Sequence, residues 1–131
     1  MVSVEINMTE TQVFEQNLLK IHLTNSNDSI HIGLTGKSVE REPGQIITPI
    51  LLNALKDTGE ENRHIILNFC QLDYMNSSTI TPIIKILERA KRGNTRLTVL
   101  YDKSLKWQAL SFSALEIFET SDKRIEIKGV E

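Results

Sequence analysis

Apolar and polar positions alternate through the first third of the chain and then change period. Val2, Val4 and Ile6 alternate with polar neighbours, which predicts a short strand. Residues 8–20 fit either a helix or a second extended stretch. "LLKIHLTNSNDSIHIGLTG" then carries two β-rich runs around Asn25-Ser26-Asn27-Asp28. Four turn formers between such runs predict a hairpin. The polar stretch from Glu40 to Gly44 holds a Pro-Gly pair and reads as a loop or the approach to a helix.

From there the spacing becomes helical. "QIITPILLNALKDTG" predicts a helix closing at Gly59. "HIILNFCQL" is short and almost wholly apolar, so it predicts a central strand buried on both faces. "TPIIKILERAKRG" predicts a second helix, with basic residues in its last turns and Gly93 after them, both C-terminal signals. "RLTVLYD" is the next strand. "SLKWQALSFSALEIF" is a third helix, with Leu105, Ala109, Phe112 and Leu115 facing inward. "RIEIKGV" closes the chain as a strand.

Strands separated by helices need crossover connections and should run parallel, while the hairpin adds an antiparallel element. The expected fold class is α/β, a mixed β-sheet with α-helices packed against it. No linker divides the chain, so residues 1–131 read as one domain. "ITPILLNALKDTG" and "ITPIIKILERAKRG" echo each other. A shared rule for starting helices, with Thr as N-cap and Pro at the first helical position, explains the echo better than a duplication.

Composition narrows the function. The 131 residues are 40% hydrophobic and 24% charged, ordinary for a soluble globular domain large enough to fold without disulfides or metal. A net charge of -2 gives no basic field for nucleic acid. The lone cysteine, Cys70, fits a reducing compartment. No run is long enough to span a membrane, and residues 1–10 do not read as a signal peptide. The expected location is the cytoplasm.

Catalytic motifs are missing from the sequence. It has no phosphate loop, nucleophile elbow, HExxH or CxxC pair. His22, His31 and His64 sit at or beside strand starts and read as strand or rim residues rather than metal ligands. Cys70 reads as an apolar thiol in the buried strand, with nothing basic beside it to activate it. Trp107 reads as core or a rim anchor. The expectation is a non-enzyme with no cofactor and no metal.

Asn76-Ser77-Ser78-Thr79 remains, between the apolar strand and the second helix. Pro costs nothing among the first few helical residues, whose N–H groups lack partners, and costs a hydrogen bond deeper in. With Thr79 or Thr81 as N-cap, Pro82 falls in the free zone. With Asn76 as N-cap it falls beyond it. Ser77 therefore lies just ahead of the helix or at its mouth. All four residues are also ordinary strand-to-helix turn residues, so the pattern alone leaves both roles open.

"HIILNFCQLDYMNSSTITPIIKILERAKRGNTRLTVL" resembles the STAS domain, the fold of bacterial anti-sigma factor antagonists of the SpoIIAA and RsbV type. Their hallmark is an apolar strand ending in D-S-[ST]-G, then a helix and another strand. The resemblance runs from about Ile21 to the C-terminus and leaves the first 20 residues uncovered. Asn76 stands where the family usually has Asp, and Thr79 where it usually has Gly. SiaC-like proteins also carry Asn before the modified residue, and "GLTGKSVEREPG" is similar to their segment ahead of the first helix.

The resemblance implies a STAS-like mixed sheet and a partner switch controlled by serine phosphorylation. By position the modified residue is Ser77, with Ser78 second, and Asn76 and Thr79 support the turn. It implies a GHKL-type serine kinase or anti-sigma factor and a PP2C-type phosphatase as partners. The SiaC-like features add a diguanylate cyclase as an alternative effector. A constitutive STAS scaffold without phosphorylation is the other reading.

Overall fold

A computed structural model describes residues 10–61 and 63–131. The strand expected at Val2, Val4 and Ile6 lies outside these residues. Alternation in the first part of the chain produces a meander of β1 (Glu10–Gln16), β2 (Leu19–Asn25) and β3 (Ser29–Ser38). Residues 8–20 are thus extended from Glu10, apart from a tight turn in which Asn17 adopts φ 55°. Asn tolerates that left-handed conformation better than most residues.

The helical half consists of α1 (Gly44–Glu61), β4 (His64–Asn68), β5 (Leu72–Met75), α2 (Ile80–Arg92), β6 (Leu97–Asp102), α3 (Lys106–Ser113) and β7 (Ile125–Val130). A 3-10 turn, Ser77–Thr79, precedes α2, and a second, Ala114–Phe118, extends α3. The sheet order is β1-β2-β3-β4-β6-β7, with β5 paired to β3. The β1, β2 and β3 pairings are antiparallel, and those among β3, β4, β6 and β7 are parallel. This is the mixed α/β sheet with packed helices that the element order implied.

One face of the sheet forms the core. Ile30, Ile32 and Leu34 of β3, Ile65 and Leu67 of β4, and Leu97 and Val99 of β6 are buried against Ile47, Leu51, Ile83, Ile86, Leu87 and Phe112 of the helices. Each such side chain contributes roughly 1.5–3 kcal/mol through burial. Phe112 stacks between Phe69 and Tyr101, at centroid distances of 4.7 and 5.7 Å.

Four expectations change. β4 is central but not buried on both faces: Ile65 and Leu67 are buried, while His64, Ile66 and Asn68 are half-buried. An apolar run does not itself show whether helices cover one face or two. Leu105 is 37% exposed, because it precedes α3 in extended conformation and so lies off the helical face. Helix α1 continues past Gly59 to Glu61, and it begins at Gly44, which places Pro49 inside it. A tolerated Gly does not stop a helix whose other face is anchored in the core. Cys70 sits not in the strand but in the turn after it, half-buried.

That turn divides β4 from β5. Strand β3 pairs with β4 through Gly33 and with β5 from Gly36 onward, with a register shift after Gly36. Gly36 has φ 85°, and a Cβ there would lie 2.1 Å from the Leu18 carbonyl oxygen, so only glycine fits. The buried Gln108 braces the break. Its Nε2 donates to the carbonyls of Phe69 (2.7 Å) and Leu72 (3.0 Å), and its Oε1 accepts from the Asp102 N–H (2.7 Å).

Candidate functional site

The displaced β5 delivers the chain to the end of β3, where Met75 pairs with Ser38. Asn76 continues in extended conformation (φ -81°, ψ 171°), and its N–H donates to the Ser38 carbonyl at 2.9 Å. Its side chain organises the turn into α2. Oδ1 accepts from the Thr79 N–H at 3.2 Å and from the Thr79 hydroxyl at 2.8 Å. Nδ2 donates to the Glu40 carbonyl at 2.8 Å. Reversing the amide would aim NH2 at the Thr79 N–H, so the network fixes its orientation.

Thr79 is fully buried and shares a 2.7 Å hydrogen bond with the buried Ser38 hydroxyl. The Thr79 proton goes to Asn76, so Ser38 donates to Thr79. The loop at residues 39–43 is held twice: Asn76 takes the Glu40 carbonyl, and Asn17 donates to the Glu40 carboxylate. The strand end, the loop and the helix start are thereby one hydrogen-bonded unit.

Pro82 explains the two-stage start of α2. The side-chain cap comes from Asn76, the residue that the position of Pro82 disfavoured, but it caps a 3-10 turn. The α-helix begins only at Ile80, so Pro82 is its third residue, just past the 3-10 turn. Thr79 makes no side-chain cap bond to the helix; its hydroxyl is spent inside the turn.

Ser77 and Ser78 are both exposed, and neither hydroxyl makes a hydrogen bond among the described residues. They separate here. Ser77, with Met75, Asn76, Ile80 and Ser111, lines a shallow pocket of about 240 Å³. Ser78 does not. Around this region Tyr74, Val39 and Leu110 are 48%, 43% and 71% exposed, three apolar side chains that folding leaves in water.

The other chemical candidates do not converge. His22, His31 and His64 alternate with core residues and so lie on the face opposite the core, on three strands. They meet Thr35, Asn68 and Thr98 respectively. Burial lowers the pKa of His31. Burial, aided by the Arg96 charge and opposed by Glu126, lowers that of His64. Burial and the Asp102 carboxylate push the Cys70 thiol up, against thiolate formation. Among the described residues no group of three His, Cys, Asp or Glu side chains is placed to hold a metal. None of their helices is long and apolar enough to cross a membrane. Trp107 is half-buried and packs against the core.

Sequence reasoning missed Ser38, the Glu40 carbonyl and Gln108. Ser38 and Gln108 are polar residues of ordinary type, and only their placement makes them important. No family model matches the chain, and no curated protein matches it. Among solved structures it is similar to an uncharacterized protein of the DUF3478 family with a SpoIIAA-like fold from Shewanella loihica PV-4. The likeness has a TM-score of 0.49 and 16% sequence identity, over 100% of this chain and 92% of that one.

Proposed function

We propose that this chain is a STAS-type partner-switching protein, not an enzyme, whose binding is controlled by phosphorylation of Ser77. The observation that carries this reading is the division of labour in the turn. Asn76, Thr79 and Ser38 hold the backbone, while the Ser77 hydroxyl is exposed and bonded to nothing among the described residues. A hydroxyl that stabilises nothing is free to be modified. Phosphorylation adds roughly -1.5 to -2 charges and strong acceptor oxygens. The helix start offers N–H groups and a positive dipole end to that charge, so the fold tolerates it. An apolar partner side chain seated against Met75 and Ile80 would meet the phosphate and be displaced.

The unmodified chain binds its effector, an anti-sigma factor or, on the SiaC-like reading, a diguanylate cyclase that it activates. A GHKL-type serine kinase adds the phosphate in the cytoplasm, and a PP2C-type phosphatase removes it. No cofactor is needed. Ser77 is favoured over Ser78 because it directly follows Asn76 and lines the pocket.

Incubation with the cognate kinase and ATP, followed by phosphopeptide mapping, should label Ser77. Unchanged labelling of Ser77→Ala would refute the assignment. Ser77→Asp should weaken effector binding at least tenfold, and Ser77→Ala should preserve it. Equal affinity of the two variants would identify a constitutive STAS scaffold instead.

A further inference from the structure

A second hollow lies away from Ser77, between the β1–β2 hairpin and the first half of α1. It measures about 460 Å³. Its wall is apolar, with Phe14, Leu23, Ile46, Pro49 and Ile50 prominent, and its polar lining consists of the carboxamides Gln12, Asn25, Gln45 and Asn53. Among the described residues no ionisable side chain lines it. The nearby charges are turned onto carboxamides at its edge: Gln45 donates to the Glu42 carboxylate at 2.6 Å, and Arg63 donates to Asn25. Gln12 and Asn53 make no side-chain hydrogen bond among the described residues.

A second feature places an acceptor on the same wall. The Ile47 N–H donates to the Pro43 carbonyl, so helical bonding is already under way when the chain reaches Pro49. Pro49 has no N–H, and the residue that would have received it is Gln45, four positions earlier. The Gln45 carbonyl thus lacks its helical donor, and both residues line the pocket. An apolar hollow with a few polar groups and an acceptor that lacks its helical donor has the usual form of a small-molecule site.

We propose that this pocket binds a small uncharged ligand with an apolar body and an N–H or O–H edge. A charged ligand would lose its hydration here with no counter-charge to replace it. The site is separate from the turn at Ser77 and does not depend on the function proposed for it.

The test uses the full chain and two fluorescent probes of one shape. N-phenylnaphthylamine is neutral and carries a single N–H donor; anilinonaphthalene sulfonate is its anionic relative. The neutral amine should bind saturably, and the sulfonate at least tenfold more weakly. Asn53→Phe, at an exposed position on the wall, should fill the mouth and reduce amine affinity at least tenfold. Pro49→Ala restores the helical bond to Gln45 and should reduce affinity about fivefold while raising the melting temperature, since one hydrogen bond is at stake. Ser77→Ala should bind the amine like the parent chain, whatever becomes of partner switching. No saturable binding of the amine, equal binding of the sulfonate, or parent-like affinity in both wall variants that melt cooperatively would overturn the proposal.

Discussion

The tripeptide Ile-Thr-Pro occurs twice, at Ile47-Thr48-Pro49 and at Ile80-Thr81-Pro82, and the two copies behave differently. In α2 the proline is the third residue of the α-helix proper, and the carbonyl four positions before it, Ser78, lies in the 3-10 turn. In α1 it is the sixth, past the free zone, and removes a bond from the ladder. The residue that starts the helix makes the difference. Asn76 and Pro82 together confine the first turn of α2 to 3-10 geometry and delay the α-helix until Ile80. Ahead of α1, Pro43 and Gly44 open the helix earlier, through bonds from Gln45, Ile46 and Ile47 to Glu42 and Pro43. A local motif therefore has no fixed cost; the geometry of the turn before it, 3-10 in α2 and α-helical in α1, decides it. One consequence is a helix short of one N–H beside an apolar hollow, the other a well-tied turn that leaves two serines unused.

The largest expected effect breaks this comparison at the prolines. Pro49→Ala restores the N–H and should stabilise the chain by up to about 3 kcal/mol, the usual cost of Pro inside a helix. Pro82→Ala restores an N–H whose acceptor four positions back, the Ser78 carbonyl, lies in the 3-10 turn, and it removes a buried ring, so it should gain less than Pro49→Ala or destabilise by about 1 kcal/mol. Urea unfolding of both variants measures the difference. Equal shifts would mean that the two prolines are equivalent and that the 3-10 turn before α2 makes no difference.

The second effect lies in the buried hydroxyl pair. Thr79→Val keeps the volume but leaves the Ser38 hydroxyl without its acceptor, at a cost of about 1–3 kcal/mol. Adding Ser38→Ala should recover part of that loss, because replacing both partners is cheaper than orphaning one. A double variant as unstable as the sum of the singles would show that the pair is not coupled.

How much of this was legible in the sequence depends on the range of the interaction. The helices, the hairpin and the strands β4, β6 and β7 arise from hydrophobic period and turn residues over a few positions. The break between β4 and β5 does not, because it is set by Gln108, 36 residues from Leu72 in sequence. The exposure of one sheet face was marked only by His64 and Asn68 at the ends of an otherwise apolar run. At the turn, the identities Asn76, Ser77, Ser78 and Thr79 drew attention, but their roles were set by Ser38, 41 residues from Thr79. Pro82 correctly located the α-helix, yet it argued against the residue that caps the turn, since sequence alone does not reveal the intervening 3-10 geometry.

Asn76→Asp comes next in size and addresses why an amide stands at this position. An Asp carboxylate would still accept from the Thr79 N–H and hydroxyl. Its other oxygen would face the Glu40 carbonyl, where Asn now donates at 2.8 Å. Two acceptors in contact replace a donor and an acceptor, at an expected cost of about 1–2 kcal/mol. Asn76→Ala loses the cap as well and should be at least as damaging. A fully stable Asp variant would show that the tie to the loop at residues 39–43 is not what requires the amide.

The smallest effect is the most discriminating. Ser77→Ala and Ser78→Ala remove exposed hydroxyls without partners, so each should change stability by less than about 0.5 kcal/mol, as surface substitutions do. Set beside Thr79→Val in the same 3-10 turn, they separate structural residues from expendable ones within three positions. A loss above about 1 kcal/mol at Ser77 would mean that its hydroxyl supports the turn, leaving no free group for a kinase without damage to the fold. Neutral stability together with loss of labelling in Ser77→Ala, and retained labelling in Ser78→Ala, would place the switch at the residue that the turn does not use.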